Sequence, residues 1–205
     1  MQSAPVQPIS HVELTLEKGR RVDSYRGLLF LFWGLILAKC CLMQWAIITY
    51  AMPINGFAFI WVPTLIFGLV CTVIYARVTL KEFHDAPLTN RLVRGIWVAC
   101  AIALVLLSTL GIGMQAFSPT LLPGLLAVIM GLGYCIHGYL DGRRLYFFAA
   151  AGWWLGSIVL FSQNNVASLA WLALFLICFQ VLPTAWIYGQ QRSSSASLMP
   201  TAGAR

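Results

Sequence analysis

Six apolar runs divide the chain, near residues 28–50, 57–76, 95–113, 119–139, 145–161 and 166–188. The stretch Leu28 to Leu37 reads LLFLFWGLIL, apolar on every side, without the strict alternation of a membrane β-strand. A helix needs about 20 mostly apolar residues to cross the hydrocarbon layer, with a range of about 17 to 25. The runs fit that range, the fifth at its lower end. The pattern predicts an all-α fold, a polytopic integral membrane bundle of six transmembrane helices arranged as three hairpins.

Polar positions are as unevenly placed. The links between runs one and two, three and four, and five and six contain no Asp, Glu, Lys or Arg. The other loops and both tails hold every Asp and Glu, and every Lys and Arg except Lys39. Short Lys/Arg-rich loops stay on the cytoplasmic side of a membrane. Both termini are therefore expected in the cytoplasm. The expected organisation is a partly disordered cytoplasmic segment over residues 1–24, a transmembrane domain over 25–190, and a disordered cytoplasmic tail over 191–205. Ser10 with Glu13 has the form of a capping box and suggests a brief helix before Gly19.

Composition agrees with a lipid-solvated chain. Of 205 residues, 60% are hydrophobic and 9% charged, against about 25% charged in an ordinary soluble domain. The formal charge of +7 is spread over all the inner loops among acidic residues, which reads as a topology signal with some attraction to anionic headgroups. It lacks the basic stripe of a nucleic-acid binder, and no nucleic-acid partner is expected. No secretory signal is evident, since the first apolar run is too long for one. The layout resembles small six-span proteins of bacterial inner membranes. It implies that location, but no motif singles out one family and no residue role is carried over.

Aromatic residues cluster at the ends of the runs. Tyr25, Tyr75, Trp97, Tyr139, Tyr146, Trp186 and Tyr188 lie at the inner ends, Tyr50, Phe57, Trp61, Phe117, Phe161 and Trp171 at the outer ends. Such rings favour the headgroup level. The cysteines Cys40, Cys41, Cys71, Cys100, Cys135 and Cys178 all fall inside runs, where they read as small apolar filler. Vicinal Cys40–Cys41 is the one notable spacing, and no CxxC is present.

Small residues mark the faces where helices approach closely. Gly152 and Gly156 form a GxxxG in the fifth run. Gly95, Ala99 and Ala103 repeat every four residues in the third, and Gly124, Gly131 and Gly138 every seven in the fourth. These faces are expected to pack the bundle internally or to form an oligomer face, with Gly152 and Gly156 the leading dimer candidates. Pro63 and Pro183 can kink the second and sixth helices.

Lys39 is out of place, at the middle of the first run. A lysine at that depth costs about 2.5–3.5 kcal/mol on insertion scales. No run contains Asp or Glu, so the lysine is expected either to snorkel partway toward water or to find a partner among backbone carbonyls, a polar residue such as Gln44 or Gln180, water, an anion, or another protein's carboxylate. Thr64, Thr72, Ser108, Thr109 and Ser157 could join Lys39, Gln44 and Gln180 along a polar path, or simply bond between helices. His137 in the fourth run and the Phe83-His84-Asp85 loop do not form the matched pair that haem ligation needs, and no nucleophile elbow, Walker loop or HExxH appears. No cofactor or metal is expected.

Three function classes remain. The favoured one is a non-enzymatic regulatory, scaffolding or accessory subunit acting through helix contacts, with membrane lipids and a membrane-protein partner or a second copy around it. The rival is a small oligomeric transporter or channel using a polar path around Lys39. A membrane redox or lipid-modifying enzyme has only His137 and the cysteines in its favour.

Overall fold

The computed structural model describes residues 7–80, 88–163 and 165–196. The Phe83-His84-Asp85 loop, Asn164, and the two ends of the chain lie outside the described residues. Helix α1 spans Gln7–Thr49. Helix α2 opens with a π turn, Phe57–Trp61, and continues as Val62–Leu80. Helix α3 is Leu88–Ser108 and closes in a π turn, Thr109–Gly113. Helix α4 is Leu122–Asp141 behind a short 3-10 turn, and α5 is Arg144–Gln163. Helix α6 comprises Ala167–Phe175, a π segment Leu176–Val181, and Leu182–Ala196. No strand occurs among the described residues. Among the described residues six stretches are long and apolar enough to cross a membrane: Gly27–Thr49, Phe57–Val78, Arg91–Gly113, Pro119–Asp141, Arg144–Gln163 and Ala167–Gln190.

Two boundaries differ from expectation. The backbone of α1 is helical back to Gln7, with no separate element before Gly19. One glycine costs a helix only about 1 kcal/mol relative to alanine, too little to break it. Helix α6 likewise runs on to Ala196, into the stretch expected to be disordered.

The prolines explain two of the π segments. Proline offers no N–H to the carbonyl four residues back, and its ring crowds that carbonyl. Just before Pro63, the Val62 N–H bonds to Phe57 O; just before Pro183, the Leu182 N–H bonds to Ile177 O. Both are i to i+5 closures, which widen the turn ahead of the ring. The turns after α1 and α3 hold Ala51 (φ 47°) and Gln115 (φ 52°) in the left-handed region. At the α4–α5 turn Gly142 takes that conformation (φ 68°) beside an Arg143–Asp141 ion pair of 3.0 Å.

Neither of the two most extensive contacts lies within one of the expected hairpins: one is α1 against α6, the other α4 against α5. The basis of the α4–α5 contact is a match of absent and large side chains. A Cβ on Gly124 would come within 2.6 Å of the Phe161 ring, and one on Gly138 within 3.3 Å of Phe147. Midway, a Cβ on Gly131 would collide with the Trp154 indole. Each step of seven along α4 is answered by a step of seven back along α5, as antiparallel helices require. The α5–α6 contact repeats the device: Gly152 receives Phe179 and Gly156 receives Phe175, at 2.5 and 2.9 Å from the would-be Cβ atoms. Trp153, Leu160 and Tyr134 lie fully buried in the resulting core.

Helices α2 and α3 stand at the margin. Helix α2 is held to α1 through Trp33, whose ring covers Gly68 and whose Nε1 donates to Thr72 Oγ1 at 3.0 Å. Helix α3 packs on α4, with Trp97 and Cys100 against Gly133. Most of their apolar side chains point outward, as a lipid-facing surface would.

Candidate functional site

The polar residues singled out in the sequence do not converge. Lys39 is exposed on the outer side of α1, level with Leu35 and Leu42, which are exposed too. Gln180 is 3% exposed and turned inward, its Nε2 donating to Phe30 O at 3.1 Å. Phe30 lies nine residues before Lys39, a rise of about 13 Å along the helix. Gln44 sits near the other end of α1, where its amide packs over Gly56 at the entry to α2. Neither amide answers the lysine. The amide oxygens of Gln44 and Gln180 are themselves buried without a hydrogen bond among the described residues.

The hydroxyls do not line a path either. Thr72 bonds back to Gly68 O, Ser108 to Leu104 O, Thr109 to Val105 O and Ser157 to Trp154 O, each on its own helix. This is the local back-bonding by which Ser and Thr satisfy themselves within a helix. A polar path from Lys39 through these groups is not assembled within the described residues.

The small-residue faces divide in two. Gly131, Gly138, Gly152 and Gly156 are filled from inside the chain by aromatic rings. Gly152 and Gly156, read in the sequence as a packing face or a dimer face, are packed within the chain by Phe179 and Phe175 of α6. Gly95 has nothing within 4 Å of a would-be Cβ, and Ala99 beside it is exposed. That α3 face remains open.

One buried cluster was not foreseen. His137, 1% exposed, accepts a hydrogen bond at Nδ1 from Trp97 Nε1 at 3.3 Å. Its ring stacks on Tyr146 at a centroid distance of 4.2 Å and on Phe30 at 5.8 Å. Phe30 meets Trp97 edge-on at 4.6 Å, and Trp97 meets Tyr134 edge-on at 5.1 Å. Five residues from α1, α3, α4 and α5 so form one knot, and the Phe30 carbonyl ties Gln180 of α6 to it. Trp97 and Tyr146 read in the sequence as interfacial belt residues, yet here they cover His137. The available signal was His137 itself with Tyr134 at i−3, which puts both on one helix face. Since Nδ1 accepts, a neutral ring carries its proton on Nε2. No group of three His, Cys, Asp or Glu that could hold a metal occurs among the described residues. The arrangement can lock helices.

No protein-family model matches the chain, and neither a curated protein nor a solved structure proved significantly similar to it.

Proposed function

We propose that this is a multi-pass protein of the bacterial cytoplasmic membrane, with both termini in the cytoplasm, that works as a non-enzymatic accessory subunit through helix contacts. One observation carries the reading. Lys39, the charge at mid-span, points away from the chain's own core. Midway along Gly27–Thr49 is residue 38, and a carboxylate on a second membrane protein would answer this lysine at its own depth. Two buried polar contacts join helices, Gln180 with Phe30 O and Trp97 with His137, while Ser108 and Ser157 bond within their own helices. The loops between the paired outer ends are too short to form a separate outer domain.

Purification at native abundance in mild detergent tests this. The expected result is a second membrane protein in fixed stoichiometry and no solute flux when the bundle alone is placed in liposomes. A lone bundle that conducts or exchanges a solute would assign it to transport instead.

A further inference from the structure

Helix α1 carries a regularity beyond its apolar character. Leu28, Phe32, Leu35, Lys39, Leu42 and Ala46 follow alternating steps of four and three residues. That is the spacing of a left-handed coiled-coil seam, in which each knob enters a hole on a facing helix. Leu28, Leu35 and Leu42 are 46%, 55% and 43% exposed, and Lys39 is exposed among them. Phe32, at the border with α2, leans on Phe67. The seam is therefore complete in spacing, and among the described residues Leu28, Leu35, Lys39 and Leu42 stand open while Phe32 and Ala46 are half-buried. A single lysine in such a seam sets register and partner choice at a cost in stability.

The geometry points to this seam as the docking site for one transmembrane helix of a different membrane protein, with an Asp or Glu opposite Lys39. The inference deepens the accessory-subunit reading and rests on it. Charge decides the occupant. A second copy cannot supply the carboxylate, because no apolar run of this chain contains one. A parallel pair of copies would also set Lys39 against Lys39, and like charges in a dry contact repel strongly. Lipid phosphates lie about 15 Å from the centre of a hydrocarbon core about 30 Å thick. A carboxylate on a neighbouring helix meets the ammonium at its own depth, and the flanking leucines exclude water and lipid from the pair.

The test uses the full chain in liposomes and a probe of known sequence: a leucine-rich transmembrane peptide with one central Asp. Energy transfer between labelled protein and labelled peptide reports association. The wild type is expected to bind the Asp peptide at least about tenfold more tightly than the all-Leu peptide. Lys39→Leu should lose that preference while remaining folded, because an apolar residue suits this depth. Lys39→Asp paired with a peptide bearing a central Lys should regain it. Equal binding of the Asp and Leu peptides by the wild type, or an undiminished preference in Lys39→Leu, overturns the proposal. So does self-association of the wild type that Lys39→Leu abolishes, which would give the seam to a second copy. A native partner that still copurifies with Lys39→Leu would sink the seam and leave the accessory reading standing. Failure to find any stoichiometric partner would sink that reading itself.

Discussion

Gly131 of α4 and Trp154 of α5 occupy one space: the indole lies where a Cβ on the glycine would have to be. This contact is the centre of three glycine–aromatic pairs that set the α4–α5 distance. Lipid offers no hydrophobic drive to bring helices together, so close fit carries the association. Gly131→Ala should therefore destabilise the bundle by about 1–3 kcal/mol, the usual range for overpacking. Gly95→Ala is the control, since nothing lies within 4 Å of its would-be Cβ. It should be neutral or stabilising by up to about 1 kcal/mol from helix propensity. Unfolding of both variants in detergent checks the pair, and equal effects would contradict the packing account.

His137 and Trp97 form a second testable pair. His137→Leu leaves the Trp97 N–H without its acceptor in a dry setting, at a cost of about 1–3 kcal/mol. Adding Trp97→Phe removes the orphaned donor. The double variant is expected to be less destabilised than the two single effects summed, a coupling that a double-mutant cycle measures. Strict additivity would mean that the 3.3 Å bond contributes nothing.

Gln180 should prove less important than its burial suggests. One amide nitrogen bonds Phe30 O, while the amide oxygen is unsatisfied. Interhelical hydrogen bonds in membranes average about 0.6 kcal/mol. Gln180→Leu keeps the volume and deletes the orphaned oxygen, so stability should change by less than about 1 kcal/mol. Gln180→Ala opens a cavity beside Gly34 and Val181 and should cost about 2 kcal/mol or more. The reverse order in thermal unfolding would make the amide a required group.

The six apolar helices were legible because a lipid-solvated helix must be apolar for its whole length, and length alone then marks it. Which side of each helix faces inward was not legible. In a water-soluble bundle the polar side of each helix betrays its outer face. Here lipid and core are both apolar, so Leu35 and Leu160 look alike in sequence although the first is exposed and the second buried. For the same reason the direction of Lys39 could not be read. The seven-residue glycine repeat of α4 could be read, and Phe147, Trp154 and Phe161 are likewise spaced by seven in α5, but neither repeat names the other as its partner. The His137 knot escaped because aromatic residues near span ends also serve as interfacial anchors. Trp97 and Tyr146 fit either role, whereas Tyr139, 81% exposed, fits only the anchor.

The proposed orientation makes a labelling prediction. In a cysteine-free background, Ile54→Cys and Ser118→Cys lie in exposed turns at one end of the bundle, and Arg144→Cys is exposed at the other. A membrane-impermeant thiol reagent added to intact cells should label the first two, and Arg144→Cys only after permeabilisation. The opposite pattern would invert the topology drawn from the basic loops.

If Lys39 is met by another protein, losing the lysine should lose that protein. The mass of the native complex in mild detergent, compared between wild type and Lys39→Leu at equal expression, tests it most directly. Lys39→Leu should insert more readily, because the lysine costs about 2.5–3.5 kcal/mol at mid-span, and should unfold no earlier than the wild type. The wild type should run as a complex with a second membrane protein and folded Lys39→Leu as the bundle alone. Complexes of the same mass and composition from both would contradict it.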